Sequence, residues 1–155
     1  MPNIRKATFD DVEAMVELSD QKRTEYKEAQ SQFWKKAENA NVIQTQWFKE
    51  LLEHQDYYLF VAEENKHIIG FVIGRIVPAP EVYNPGGLTM MIDDFCVDNQ
   101  KSWIEVGKAL VDVLRKVSNE VAQLLIVCGA HDQAKREFLK AIDLSVASEG
   151  YVGKV

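Results

Sequence analysis

Hydrophobic positions along the chain follow two rhythms, and the change between them falls near Tyr57. Ile4-Arg5-Lys6-Ala7 reads as a short first strand. Thr8 follows as a helix N-cap, with Asp11 three residues on as an imperfect capping box. Val12, Met15 and Val16 then recur at helical spacing. The polar stretch from Gln21 to Ala37 predicts a second helical segment, with Tyr26, Phe33 and Trp34 embedded in it. A third helix places Ile43, Trp47 and Leu51 on one face. From Tyr57 the pattern becomes that of strands. YYLFVA and IIGFVIGRIV are joined by the turn Glu63-Glu64-Asn65-Lys66, and a loop rich in Pro and Gly spans Pro78 to Gly87. LTMMIDDFCV, residues 88–97, is the next strand. The helix after it carries Val106, Leu110, Val113, Leu114 and Val117, a buried stripe. The apolar run LLIVCG, 124–129, predicts a short strand, followed by a helix over 133–141 and a last strand near 144–152.

Successive strands joined by turns pair antiparallel, whereas a strand-helix-strand unit returns the chain in the same direction. The expected architecture is therefore an α/β fold with a mixed, mostly antiparallel sheet. Its one parallel pair joins 88–97 with 124–129, and residues 1–155 form a single domain.

Composition adds limits. Apolar residues make up 46% of 155, enough for a sizeable core, and the net charge of −6 argues against nucleic acid as a partner. Cys96 and Cys128 lie in apolar runs without metal-site spacing, which predicts reduced core thiols and no metal. The start MPNIRKATFDD lacks an apolar signal region and no stretch has the length of a membrane span, so a cytoplasmic protein with no membrane partner is expected.

Candidate chemistry centres on 93–110, "DDFCVDNQKSWIEVGKAL". Strand, turn and helix follow one another there, the layout in which a helix N-terminus can face a phosphate. Gly107 suits such a cradle, whereas Trp103 adds bulk and Glu105 adds bulk and repulsion; on spacing alone, a plain strand-to-helix turn with a helix-favouring acid in its first turn is the other reading. Asp93 and Asp94 are adjacent acids late in an apolar strand. Alternation sends their side chains to opposite faces, so one reaches a cleft, and Asp93 shares a face with Phe95 and Val97. A carboxylate beside an apolar wall tends to a raised pKa and can serve as a general base; strand-end solvation is the alternative. His131 follows LLIVCG at the carboxyl end of a strand, either solvated or facing a ligand. Tyr26, Trp34 and Tyr83 are aromatic residues in polar surroundings that suit a substrate cleft, with core packing the other reading of Trp34. No Ser-His-Asp order, zinc spacing or Walker loop is present.

The segments "NIRKATFDDVEAMVEL", "YYLFVAEENKHIIGFVIGRI", "MIDDFCV" and "LLIVCGAHDQAKREFLKAIDL" together resemble the GNAT superfamily of acetyl-CoA-dependent N-acetyltransferases over nearly the whole chain. The resemblance implies a pyrophosphate loop of pattern Gln/Arg-x-x-Gly-x-Gly/Ala. Residues 102–107 read Ser102, Trp103, Ile104, Glu105, Val106, Gly107, so only Gly107 matches. It implies that the fourth-strand backbone near Phe95, Cys96 and Val97 receives the pantetheine arm. Backbone donors up to Lys108, together with Asp132 and Phe138, complete the cofactor site. It supports Asp93 or Asp94 as the base, Asp93 being favoured for the face it shares with Phe95 and Val97; the substrate residues stay those read from the residues themselves, Tyr26, Trp34, Tyr83 and His131. The family's usual acid is a tyrosine four residues after an alanine; here Ala134 leads to Phe138, which has no proton to give. The function implied is transfer of acetyl to a primary amine of a small molecule or peptide. The alternative is a non-catalytic GNAT-fold binding or regulatory module with weak or lost CoA binding. Either is compatible with a homodimer.

Overall fold

The computed structural model describes residues 1–155. Its elements are β1 (Asn3–Lys6), α1 (Val12–Ala29), α2 (Ala40–Glu53), β2 (Tyr57–Glu64), β3 (His67–Val77), β4 (Leu88–Val97), α3 (Lys108–Leu114), β5 (Val121–Ile126) and α4 (Gln133–Ala141). The five strands form one sheet in the order β1-β2-β3-β4-β5. All pairs are antiparallel except β4 with β5, which run parallel. The mixed sheet expected from the pattern is what forms.

Each face of the sheet has its own apolar cluster. Val12, Met15, Phe48 and Leu51 cover Leu59, Val61, Phe71, Ile73 and Cys96 on the α1/α2 face. Trp103, Val106, Leu110, Leu114 and Phe138 cover Phe60, Val72, Ile92 and Phe95 on the other. The stripe read from the sequence of α3 is thus the one that packs, with Val106, Leu110 and Leu114 all buried. The entry to α1 is fixed by charge. Asp11 Oδ2 accepts from the Thr8 amide at 2.7 Å and from Arg5 Nη1 at 2.7 Å, and Arg5 also reaches Glu63 on β2.

Four expectations need correction. The two helical stretches before Ala37 are one helix that ends at Ala29, and Trp34 sits in the turn beyond it. In α2 the buried positions are Phe48 and Leu51, while Ile43 and Trp47 are exposed. The fifth strand is Val121–Ile126, earlier than 124–129. Its last rung is Val127 N–H to Ile92 O at 2.9 Å, and just beyond it β4 bulges away. No strand forms over 144–152. Asp143 takes a left-handed conformation (φ 66°), and the Leu144 amide bonds back to Leu139 O at 3.0 Å, turning the chain against α4. The Ser, Ala, Glu and Gly residues that follow offer little apolar surface to hold a sixth strand against β5.

Candidate functional site

The site is built by a bulge in β4. Ile73 on β3 pairs with Asp94, but the next β3 residue, Gly74, pairs with Ile92, which leaves Asp93 as the extra residue. The consequence for side chains is direct. Ile92 and Phe95 are three residues apart, yet both enter the α3/α4 cluster. Asp93 and Asp94 therefore both face the α1/α2 side and line the same cleft. The expected alternation fails here, and Asp93 does not share a face with Phe95. The bulge also ends the pairing with β5, so the two parallel strands part beyond Ile92.

The free edge of β4 in that gap follows from the register. Asp98 N–H donates to Ile69 O at 2.9 Å, which marks every second pair back along the strands as hydrogen-bonded. Phe95 and Val97 fall in the alternate pairs, so their backbone groups point away from β3, into the gap. The Phe95 carbonyl accepts from Lys135 Nζ at 3.3 Å.

The cleft encloses about 500 Å³. Tyr26, Trp34, Trp47 and Tyr57 give it aromatic walls; Lys22, Arg23, Arg75 and Lys135 line it beside the two aspartates. The aspartates differ. Asp93 is exposed, whereas Asp94 is partly covered. Burial pushes the Asp94 carboxyl above its ordinary range, opposed by Lys22 and helped by the Asp93 charge. Ser19 Oγ is buried on the same wall, beside the Cys96 thiol.

At the end of β5, Tyr26 joins helix and sheet. Its hydroxyl donates to Asp132 Oδ2 at 2.8 Å and accepts from the Gly129 amide at 3.3 Å. Burial, and then the Asp132 charge, raise the Tyr26 pKa, so this phenol keeps its proton. Its ring meets Trp34 at 4.7 Å and His131 at 4.4 Å, both edge-on. A Cβ on Gly129 would meet the His131 ring at 2.7 Å and the Tyr26 ring at 3.0 Å, so glycine leaves room for both rings. Asp132 also caps α4 through the Lys135 amide. His131 therefore buttresses Tyr26 and Trp34 from outside the cleft lining. Tyr83 lies exposed in the loop before β4, apart from the cleft.

The helical run after β4 starts as a 3-10 turn, Gln100–Ser102, and widens into a π turn, Trp103–Gly107, before α3. Glu105 and Ile104 are exposed to solvent, whereas Trp103 and Gly107 are buried. A Cβ on Gly107 would meet the Trp103 ring at 2.8 Å and the Phe138 ring at 3.1 Å. Gly107 thus gives room to an aromatic stack, Trp103 on Phe138 at 5.3 Å, rather than baring backbone to a ligand. Ser102 Oγ reaches Asp98 at 3.5 Å, and Lys108 pairs with Asp112 one turn along α3. Ile104 and Lys108 line a second hollow of about 320 Å³ against Ile142 and Asp143. Cys96 is buried on the α1/α2 face and Val97 packs toward the other. Cys128 is half-buried, and burial pushes both thiols up.

Sequence reading missed Lys135, which is 1% exposed and lines the cleft. The signal was there: Lys135, Phe138 and Ile142 follow the spacing of a buried helix face, and a lysine in such a stripe is an anomaly.

No family model and no curated protein sequence matches the chain. Solved structures do match. A mutant of the BH1408 protein from Bacillus halodurans superposes with a TM-score of 0.85 at 15% identity, covering 99% of each chain. A predicted acetyltransferase from Clostridium acetobutylicum, solved with acetyl-CoA, gives 0.74 at 18% identity, over 99% of this chain and 96% of that one. A transcriptional regulator from Bacillus halodurans C-125 gives 0.74 at 20% identity over the whole of both chains. At these identities the likeness is one of fold, a fold this chain shares with solved acetyltransferases among others.

Proposed function

We propose that this chain moves an acetyl group from acetyl-CoA to a primary amine held in the cleft. The observation that carries this reading is the β4 bulge. One irregularity turns two carboxylates into the cleft, parts β4 from β5, and leaves the Phe95 and Val97 backbone facing the gap. The free strand edge suits the amide-bearing arm of CoA, which pairs as a strand does, and its N–H groups suit a developing oxyanion. The start of the helical run is less open. Glu105 turns outward, which leaves the turn free of its bulk, but Gly107 is covered by Trp103 and Phe138. Phe95 and Val97 backbone, the Ser102–Lys108 turn and Asp132 would hold the cofactor. Acetyl-CoA supplies an acyl group on a thioester.

Asp94 is the base. Its raised pKa makes it a stronger acceptor for the proton of the incoming ammonium, and Asp93 beside it holds the positive charge at the rim. Tyr26, Trp34, Trp47 and Tyr57 pack the body of the substrate. The eroded loop favours a second reading, a GNAT-fold binding module that uses the aromatic cleft without turnover. Calorimetry with acetyl-CoA, repeated with a panel of small amines and N-terminal peptides, separates the two. Binding of acetyl-CoA and mutual enhancement with an amine are expected for the enzyme; amine binding indifferent to acetyl-CoA supports the module.

A further inference from the structure

We propose that the Lys135 ammonium donates the proton to the thiolate that departs during acetyl transfer, in the place that Phe138 leaves without a donor. The inference rests on the acetyltransferase reading and assigns a catalytic residue to it. Phe138 is 1% exposed and stacked on Trp103, so its ring is packing. Lys135 lies three residues earlier on the same helix face and is equally buried. No carboxylate stands within ion-pair distance of its Nζ. Its one hydrogen bond goes to the Phe95 carbonyl, and its charge lies 5.2 Å from the Phe95 ring centre and 5.4 Å from that of Trp103.

A buried ammonium without an acid partner is costly, and such groups concentrate at functional sites. Here the position supplies the reason. The Phe95 carbonyl faces the gap between β4 and β5, so Nζ is in the gap. On the acetyltransferase reading, an acyl thioester laid along that edge with its amine partner at Asp94, on the α1/α2 side, would have its sulfur on the side of α4 and Lys135. Lys135 is the proton-bearing α4 side chain that lines the cleft. Burial and then Lys22 on α1 draw its pKa down to about 8, while Cys96, Cys128 and Asp132 pull it up. It therefore carries a proton at neutral pH and has an acidity close to that of a thiol.

The step balances. The C–N bond forms as the C–S bond breaks, and the sulfur electron pair takes a proton from Nζ. The entering ammonium loses one proton to Asp94 and its second to water. Lys135 is reprotonated by water and Asp94 releases its proton there, so one proton appears per acetyl transferred.

The test uses the full chain and two variants, Lys135→Met and Lys135→Arg, with CoA itself as the probe. Thiolate absorbance of bound CoA is titrated with pH, and affinity is checked with desulfo-CoA, which lacks the sulfur. A parent that lowers the thiol pKa of bound CoA by about one unit, lost in Lys135→Met and kept in Lys135→Arg, is expected. Desulfo-CoA affinity should change less than about 3-fold, since the sulfur contact is absent there. In turnover both variants should fall about 100-fold, because arginine keeps the charge but does not release a proton. If the parent binds CoA and its thiol titrates as in Lys135→Met, the assignment is overturned and the acetyltransferase reading stands. If Lys135→Arg turns over like the parent, it is likewise overturned. If the parent binds no CoA, both fall.

Discussion

Replacing Lys135 by methionine should stabilise the protein at neutral pH and lose that advantage in alkali. The side chains have similar length, so the change mainly removes a buried charge. A pKa drawn from 10.5 to about 8 corresponds to roughly 3 kcal/mol of stability withheld while the group is charged. Methionine leaves the Phe95 carbonyl without its donor, which costs about 1–2 kcal/mol. The net gain expected at pH 7 is therefore about 1–2 kcal/mol. The sign with pH follows from linkage. Below pH 8 both folded and unfolded chains carry the proton and the full penalty applies. Between about 8 and 10.5 the folded chain has lost its proton and the unfolded chain has not, so the parent gains stability as pH rises. Urea denaturation of parent and Lys135→Met, followed by circular dichroism from about pH 7 to 10.5, measures the gap. It should close and change sign by the upper end. A gap that stays constant across this range would mean that the ammonium is hydrated in the folded protein, contrary to its burial.

Other substitutions test the site and its supports. Asp94→Asn should lower turnover about 10²–10⁴-fold with little change in CoA binding, while Asp93→Asn should mainly raise the KM of the amine; steady-state kinetics decide between them. The ascending limb of kcat/KM against pH should lie above the ordinary aspartate range, because burial raises the Asp94 pKa. Gly107→Leu should destabilise the fold and shift tryptophan fluorescence, since its Cβ would meet Trp103 at 2.8 Å; an unchanged urea midpoint would contradict the packing role. Asp11→Ala removes the acceptor for Thr8 and Arg5 at the start of α1, and should cost about 2 kcal/mol in urea denaturation. The Arg5 hydrogen bond outweighs the opposing effect of burial, so the Asp11 carboxyl sits below its ordinary range. That support is present at neutral pH and fades as pH falls through the acidic range.

Much of the architecture was legible in the sequence because periodicity carries it. The stripe of α3 and the boundaries of β4 are set by which side chains must be apolar, and β4 is found over 88–97 as expected. The parallel pairing follows from the helical crossover alone. What stayed hidden depends on single residues against tertiary context. A bulge has no periodic signature, so the sequence "IDDF" reads as alternation while the register puts both aspartates on one side. Gly107 looks like a bare backbone position until Trp103 and Phe138 are seen to need the space. Lys135 reads as a solvated helix residue unless its place between Ala134 and Phe138 on the buried face is weighed. The absent final strand shows the limit of composition: a few apolar residues after Leu144 do not make a strand when Asp143 turns the chain away from the sheet edge.

Acetyl transfer by this chain is decided by amine-dependent release of free thiol from acetyl-CoA by the purified parent protein, across a panel of primary amines and peptides, with the acetylated product identified by mass. Release with at least one amine of the panel, and its loss in Asp94→Asn, is expected. A parent that binds acetyl-CoA yet releases no thiol with any amine, or one as active after Asp94→Asn as before, would contradict acetyl transfer with Asp94 as its base.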